Sequence, residues 1–470
     1  MNISEILPLI QHYPQSGPRY TSYPTANHFS PSFTAQDYER IALESNQQPL
    51  PRPLSLYIHV PFCRALCYYC GCNKIVTRSQ DTVNNYLDYL YREIAMHGRL
   101  YASDRFVEQV HIGGGTPTYL APELLEELMD MVAQAFHFAP PSKVQMSIEV
   151  DPRTVTPEQA AQLVGIGFNR ISLGVQDLNP VVQKAVNREQ TAEQIEGIVE
   201  AVRKAGVNTV SFDLMYGLPH QTVDTFAETL EEVIRLKPDS ISLYNYAHMP
   251  DRVPSQRLIS ADTLPESDVK LEIFSLAHRE LSKAGYLYLG MDHFVLPGEP
   301  LAQAYADGSI QRNFQGYSTH GDCDIIGMGV SAISRVDGCF AQNSSDIQDY
   351  RTLVDKGLLP VNRGYELNSD DMLRSEVIQS IMCQGEVNLR DIAAHYGLIW
   401  EQVFYSEYDR LRPFVNDGLV ELTADGFRVT ANGRYFLRPI AMIFDAWLQA
   451  PAISEMGLPK QATAGYSKVF

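Results

Sequence analysis

The sequence predicts an α/β fold: six short strands alternating with helices, making a parallel sheet with right-handed crossovers that is either open or curled into a barrel. Three observations carry this. Short apolar or β-branched runs recur along the chain, amphipathic stretches of helical period fall between them, and polar or glycine-rich residues follow the runs directly.

In chain order the strands are expected at 56–60 (LYIHV), 109–112 (QVHI), 145–150 (QMSIEV), 170–175 (RISLGV), 209–215 (TVSFDLM) and 240–244 (SISLY), each too short for a helix. In TAEQIEGIVEAVRKAG, Ile195, Ile198, Val199 and Val202 share one helical face, Thr191 and Gln194 form a capping box, and Gly206 supplies the stop. TVDTFAETLEEVIRLKPD aligns Phe226, Leu230, Val233 and Ile234, and Pro238 ends it. Further helices are expected near 82–98, 121–136 and 157–165. Residues 1–52 read as an N-terminal arm, 53–365 as the alternating units with an extension of the sheet, and 366–470 as a mainly helical domain. Within the last, DDMLRSEVIQSIM, LRDIAAHYG and EQVFYSEYDRLRPFVNDG are helical, LVELTADGFRVT is two short strands around an Asp-Gly turn, and NGRYFLRPIAMIF is a helix. Helices followed by a small hairpin make a winged-helix-like module.

Composition narrows the function classes. A chain of 470 residues with 45% hydrophobic and 20% charged residues can bury a full core. A net charge of −19 opposes binding to a nucleic-acid backbone, and no run is long and apolar enough for a membrane span. The N-terminal stretch lacks the basic start and apolar core of a secretory signal, so a cytoplasmic location is expected. Seven cysteines are too few and too irregular for a disulfide framework; in a reducing compartment, clustered thiols read as metal ligands or redox groups.

Ligands in parallel α/β folds bind at the carboxyl ends of the strands. Here the first strand is followed by CRALCYYCGC (Cys63, Cys67, Cys70 and Cys72), the second by GGGTP (113–117). Glu149 and Asp151 close the third, Gln176 and Asp177 follow the fourth, Asp213 ends the fifth, and 245–248 follow the sixth. Six endings in register argue for one active site. Structural zinc takes two separated CxxC pairs, and no second pair exists here. A redox CxxC needs neither Cys63 nor Cys72. A loop with CxxxCxxC spacing can hold three irons of a four-iron cube and leave the fourth open. GGGTP lacks the Gly-Lys-Ser/Thr of a phosphate loop.

CRALCYYC, with Tyr69 before its third cysteine, and GGGTP resemble the radical S-adenosylmethionine (SAM) enzymes. PRYTSYPTA, YIHVPFC, CGCNKIVTR, SIEVDPR, GVQD, VNREQ, DLMYGLP, NYAH, GMDHF and the stretch from RNFQGYST to GMGVSAIS resemble, within that superfamily, the oxygen-independent coproporphyrinogen III oxidases (coproporphyrinogen dehydrogenases). The resemblance implies a partial (β/α)6 TIM-like radical SAM barrel; the Pro-, Tyr- and Ser-rich arm reads as irregular chain packed across its mouth, and the acidic balance without a basic recognition helix favours a winged-helix-like domain that covers the substrate site. It implies an oxidoreductase of haem and porphyrin biosynthesis that decarboxylates two propionates of coproporphyrinogen III to vinyls, giving protoporphyrinogen IX. It implies a [4Fe-4S] cluster held by Cys63, Cys67 and Cys70, with the role of Cys72 open. Tyr57, Gly114, Glu149 and Ile333 match positions that contact the cluster-bound adenosylmethionine. Tyr69, Gly115, Thr116, Gln176, Arg188, Asp213 and Ala247 match a second adenosylmethionine position. No catalytic acid/base set is expected beyond these. A low-potential electron donor such as flavodoxin or ferredoxin, no nucleic acid, no membrane and a monomeric state are the expected partner picture. Arg19, Lys74, Arg78 and Arg312 are basic candidates for the substrate carboxylates. The alternative is a haem chaperone on the same scaffold; such relatives lack the PRYTSYPTA arm and the second cysteine of CGC, both present here.

Overall fold

The structure, a computed structural model, describes residues 7–10, 12–13 and 16–449. The chain divides into two compact units, one of residues 29–266 and 322–366, the other of residues up to 28, 267–321 and from 367 on.

The first unit is built on six parallel strands: β1 Leu54–Val60, β2 Val107–Gly114, β3 Gln145–Val150, β4 Arg170–Gln176, β5 Thr209–Tyr216 and β6 Ser240–Asn245. Helices α1 Gln80–Gly98, α2 Pro122–Ala135, α3 Pro157–Ile166, α4 Ala192–Ala205 and α5 Val223–Leu236 alternate with them. The strands pair in chain order from β1 to β6, and β6 does not return to β1, so the six units form a partial barrel. Beside β1 on the other side lies the parallel β7 Asp324–Met328, then the antiparallel β8 Ile333–Val336, β9 Cys339–Asn343 and β10 Val361–Glu366. Central parallel strands are covered on both faces and therefore read as near-continuous apolar runs. In β1 every residue but Tyr57 is buried.

The helices start and stop where local chemistry directs. Thr191 accepts from the Gln194 N–H, Gly206 closes α4 in the left-handed region at φ 96°, and Ile195, Ile198, Val199 and Val202 are buried. On α5 the buried stripe is Phe226, Thr229, Leu230, Val233 and Leu236, and Lys237 takes the left-handed cap just before Pro238. A buried carboxylate locks α1 to the sheet edge: Glu93 accepts from Gly329 N–H (2.8 Å), Asn343 Nδ2 (2.7 Å) and Tyr350 Oη (2.5 Å). The carboxylate is fully paired, as a charge at zero exposure must be.

In the second unit the helix Ser369–Cys383 precedes a three-stranded sheet with Gly426–Val429 between Glu386–Asn388 and Val420–Leu422. The expected hairpin is there; the strand Glu386–Asn388 was not expected, since three residues show no period. Residues 400–416 break into three short helices, Trp400–Val403, Tyr405–Arg410 and Arg412–Asn416, the last with Pro413 in its first turn. Arg438 gathers the arm by donating to the carbonyls of Gly17 and Pro18, and Arg19 pairs with Asp292. Residues 267–321 group with this unit and not with the strands on either side of them in sequence. In the first unit, the arm also contains a helix, Ala35–Ser45, closed by a Thr34–Asp37 capping box. Its buried residues Ala35, Tyr38, Ile41, Ala42 and Ser45 include small and polar ones, which leaves only a weak apolar period in the sequence.

Candidate active site

The cysteine loop leaves β1 after Pro61 and is clamped from three sides. Phe62–Cys63 pairs in parallel with Ile75–Val76, so the loop returns beside its own start. Tyr68 N–H donates to Val186 O (3.0 Å), and Asn187 Nδ2 donates to Leu66 O (2.8 Å). From the segment after β6, Gln256 Nε2 donates to Tyr69 O (3.0 Å) and Ser255 Oγ to Cys70 O (3.2 Å). Lys74 Nζ ties Cys70 O at 2.8 Å and Cys72 O at 3.4 Å. Cys63 and Cys67 are buried, Cys70 is half-buried and Cys72 is exposed.

The glycine run approaches the loop closely. Gly115 N–H donates to Val60 O at 2.9 Å, and a Cβ on Gly115 would lie 2.6 Å from Pro61 O. Gly114 has φ +122°, a conformation side chains avoid, and its N–H donates to Glu149 Oε2 (3.2 Å). Glu149 Oε1 lies 3.1 Å from His111 Nε2, and the His111 ring stacks on Tyr57. Thr116 Oγ1 is 3.5 Å from Cys63 Sγ.

Cys67 faces two guanidiniums, Arg153 Nη2 at 3.3 Å and Arg188 Nη1 at 3.6 Å. Both also hold Asp151 Oδ2, at 2.7 and 3.1 Å. Burial pushes the Asp151 carboxyl up, but Arg188 and Arg153 together outweigh it and hold it below the ordinary carboxylate range. The Cys70 thiol is drawn down to about 6, first by a hydrogen bond from Cys72 and then, against burial, by Lys74. Cys72 is correspondingly pushed up, and burial lifts Cys63 to about 11. Asp213 is raised to about 6 by burial and by the charge of Glu149, with Ser172 Oγ donating to it at 3.2 Å.

These groups line one pocket of about 480 Å³, which takes in Cys63, Cys67, Tyr69, Cys70, Cys72, Gly114, Gly115, Thr116, Glu149, Gln176, Arg188 and Asp213, with Arg153 beside them. Its size suits a nucleoside-sized ligand. Tyr57, Ala247 and Ile333 are not among its lining residues. Tyr57 pairs in register with Gly327, where an added Cβ would meet the Ile333 backbone at 2.6 Å, and Ala247 O accepts from Gln256 Nε2 (3.1 Å). Asp177, at the end of the fourth strand, is absorbed by structure: it binds Gln221 Nε2 (2.5 Å), Asn179 N–H (2.6 Å) and Thr229 Oγ1 (3.3 Å). Arg153 is the residue sequence reasoning missed. It stands in SIEVDPR, and its signal was a basic residue two positions after a strand-end acid.

The donor set fits an iron–sulfur cluster with an organic ligand. Among the described residues no three His, Cys, Asp or Glu side chains converge as they would on a single metal ion. A cube spreads its thiolates over separate corners and needs no such convergence. Gln176 sits at a register shift of β4 with φ +65°, and its Oε1 is buried without a partner, as is Arg188 Nε. Orphaned polar atoms on pocket-lining residues point to a polar ligand.

Comparison with known proteins agrees with this geometry. Residues 57–233 match the Radical SAM superfamily and residues 367–436 the HemN C-terminal domain. The chain is 46% identical over 440 residues to an oxygen-independent coproporphyrinogen III oxidase of Pseudomonas aeruginosa, covering 94% of this chain and 95% of that one. It is 44% identical over 455 residues to that of Escherichia coli, covering 96% and 98%. The solved coproporphyrinogen III oxidase (HemN) from Escherichia coli, described as a radical SAM enzyme, superposes with a TM-score of 0.89 at 43% identity, covering 94% of this chain and 99% of that one. Fold, cysteine loop and near-full-length identity therefore agree: the chain belongs to the oxygen-independent coproporphyrinogen III oxidase family of radical SAM enzymes.

Proposed function

We infer that this protein removes the carboxylates of two propionates of coproporphyrinogen III as carbon dioxide, leaving vinyl groups and giving protoporphyrinogen IX without oxygen. The single observation that carries the reading is the pocket in which the cysteine loop, the glycine run and the polar ends of β3, β4 and β5 meet, in a chain of this family. When bound, the [4Fe-4S] cluster and adenosylmethionine supply the one-electron chemistry that takes a hydrogen atom from the propionate.

The residues divide the remaining work. Cys63, Cys67 and Cys70 hold the cluster; two guanidiniums stand beside the Cys67 sulfur, and the lowered Cys70 thiol favours the thiolate that iron requires. Glu149, fixed by the Gly114 N–H, presents a carboxylate suited to an amino group, and Gly114 lets the ligand approach the backbone. Tyr57 and Ile333 support that position from β1 and β8. Gln176, Arg188 and Asp213, with Tyr69, Gly115, Thr116 and Ala247, serve a second adenosylmethionine. Arg188 suits its carboxylate and Asp213 its ribose hydroxyls, which fits a reaction run twice per substrate. The chain acts as a monomer in a reducing cytoplasm, consistent with seven free cysteines, and takes electrons from a low-potential donor.

The test is anaerobic. The cluster is reconstituted, reductant, adenosylmethionine and coproporphyrinogen III are added with cell extract as electron acceptor, and carbon dioxide and protoporphyrinogen are followed by mass spectrometry. Two carbon dioxides per tetrapyrrole, lost in Cys67→Ala, are expected. Haem binding or adenosylmethionine cleavage with no loss of carboxylate would overturn the reading in favour of a chaperone.

A further inference from the structure

We propose that the outer side of the cysteine loop is the docking face for an acidic, low-potential one-electron carrier protein, seated on Val76 and Leu258; this rests on the cluster reading above. The loop is a single layer of chain here. Cys70, Gly71, Cys72 and Lys74 border the inner pocket and also line a second concavity of about 610 Å³. A carrier resting there is separated from the sulfur of Cys70 by one stretch of backbone. Gly71 and Cys72 are exposed, and a Cβ on Gly71 would meet only Val253, at 3.7 Å. Packing within the chain therefore does not demand this glycine, while its bare backbone admits a close approach from outside.

Composition says what kind of partner fits. The chain carries a net charge of −19, so an acidic protein is repelled by most of it. Residues 61–80 are the reverse, with Arg64, Lys74 and Arg78 and no acidic residue, and of these Lys74 lines the outer concavity. Arg252 lines the same concavity from the opposite bank. Each bank adds one exposed apolar side chain, Val76 at 48% and Leu258 at 58% exposure. Two cations, no acidic residue and two exposed apolar side chains in one concavity, on an otherwise acidic protein, are the complement of an acidic partner with an apolar patch. On docking, the carrier loses one electron and the cluster gains it, [4Fe-4S]²⁺ becoming [4Fe-4S]⁺, with no bond made or broken.

The test uses the full chain with its cluster reconstituted and a reduced, acidic [2Fe-2S] ferredoxin as the probe. Iron and sulfide content and reduction by dithionite, read by electron paramagnetic resonance, come first. Stopped-flow then gives the second-order rate of electron transfer from the ferredoxin. Leu258→Asp and Val76→Asp are expected to lower that rate by about tenfold or more, and Arg252→Glu severalfold, with dithionite reduction unchanged. The wild-type rate is expected to fall steeply as salt rises from about 0.05 to 0.5 M. A loaded chain whose variants take electrons from ferredoxin as fast as wild type, or whose rate ignores salt, overturns the docking face alone. A chain that takes up no cluster overturns the functional reading and this one with it.

Discussion

Replacing Asp213 by Asn is expected to make the ligand-free protein more stable while weakening its hold on adenosylmethionine. The structure raises this carboxyl from 3.8 to about 6, by burial and by the charge of Glu149. Each pH unit of displacement is worth about 1.4 kcal/mol, so holding the ionised group folded at pH 7 costs at most about 3 kcal/mol. Asp213 is half-buried and keeps a hydrogen bond from Ser172, so about 1–2 kcal/mol is the reasonable gain on removing the charge. The pH dependence fixes the sign. Between about pH 4 and about pH 6 the folded chain holds a proton at Asp213 that the unfolded chain has lost, so this group makes stability fall as pH rises through that window. Wild type and Asp213→Asn should therefore melt alike near pH 4 and separate between pH 4 and 6. Above pH 6 the variant should melt higher by a steady, roughly 1–3 °C. Calorimetry of the ligand-free chain across that range is the assay, with equilibrium dialysis of adenosylmethionine alongside. A variant that melts at or below wild type at pH 7.5, or by a margin independent of pH, refutes the argument.

The other expectations follow from single contacts. Gly115→Ala places a Cβ against Pro61 O, only two residues before Cys63; displaced backbone there is expected to cost about 1–3 kcal/mol and to lower iron content per chain, read by iron and sulfide assay. Arg188→Lys cannot reproduce the fork that reaches both Asp151 Oδ2 and Gly174 O, and should lose about 2 kcal/mol of stability in urea, where a loss under 0.5 kcal/mol would speak against it. Glu93→Ala leaves the Gly329 N–H and the Tyr350 hydroxyl without their acceptor in a dry site and takes one of two acceptors from Asn343 Nδ2; a loss of about 3 kcal/mol or more is expected by denaturant titration. Glu149→Gln removes the charge that faces Asp213, so in that background the pH window of Asp213 should move down, visible as a smaller stability difference between pH 4 and 6.

The sequence by itself determined the elements whose cause is local. A strand must be apolar on each face it buries, continuously in Leu54–Val60 and alternately in Arg170–Gln176, so all six parallel strands are visible as short apolar or β-branched runs, and the Thr191–Gln194 box with Gly206 bounds α4 from local sequence alone. The cysteine loop and the glycine run were legible for the same reason: short spacing puts their groups within a few residues of one strand end. Tertiary structure decided whatever depends on distant partners. Which strand lies beside β1 is set by β7, more than 260 residues later, and no local pattern encodes that pairing. Asp177 and Asp213 look alike at the ends of neighbouring strands, yet one is consumed by Gln221, Asn179 and Thr229 while the other lines the pocket. Arg153 acquires its meaning only where the fold carries its guanidinium to Cys67, 86 residues earlier. Periodicity reports which face of an element is buried; the identity of the group it meets there is a property of the assembled fold.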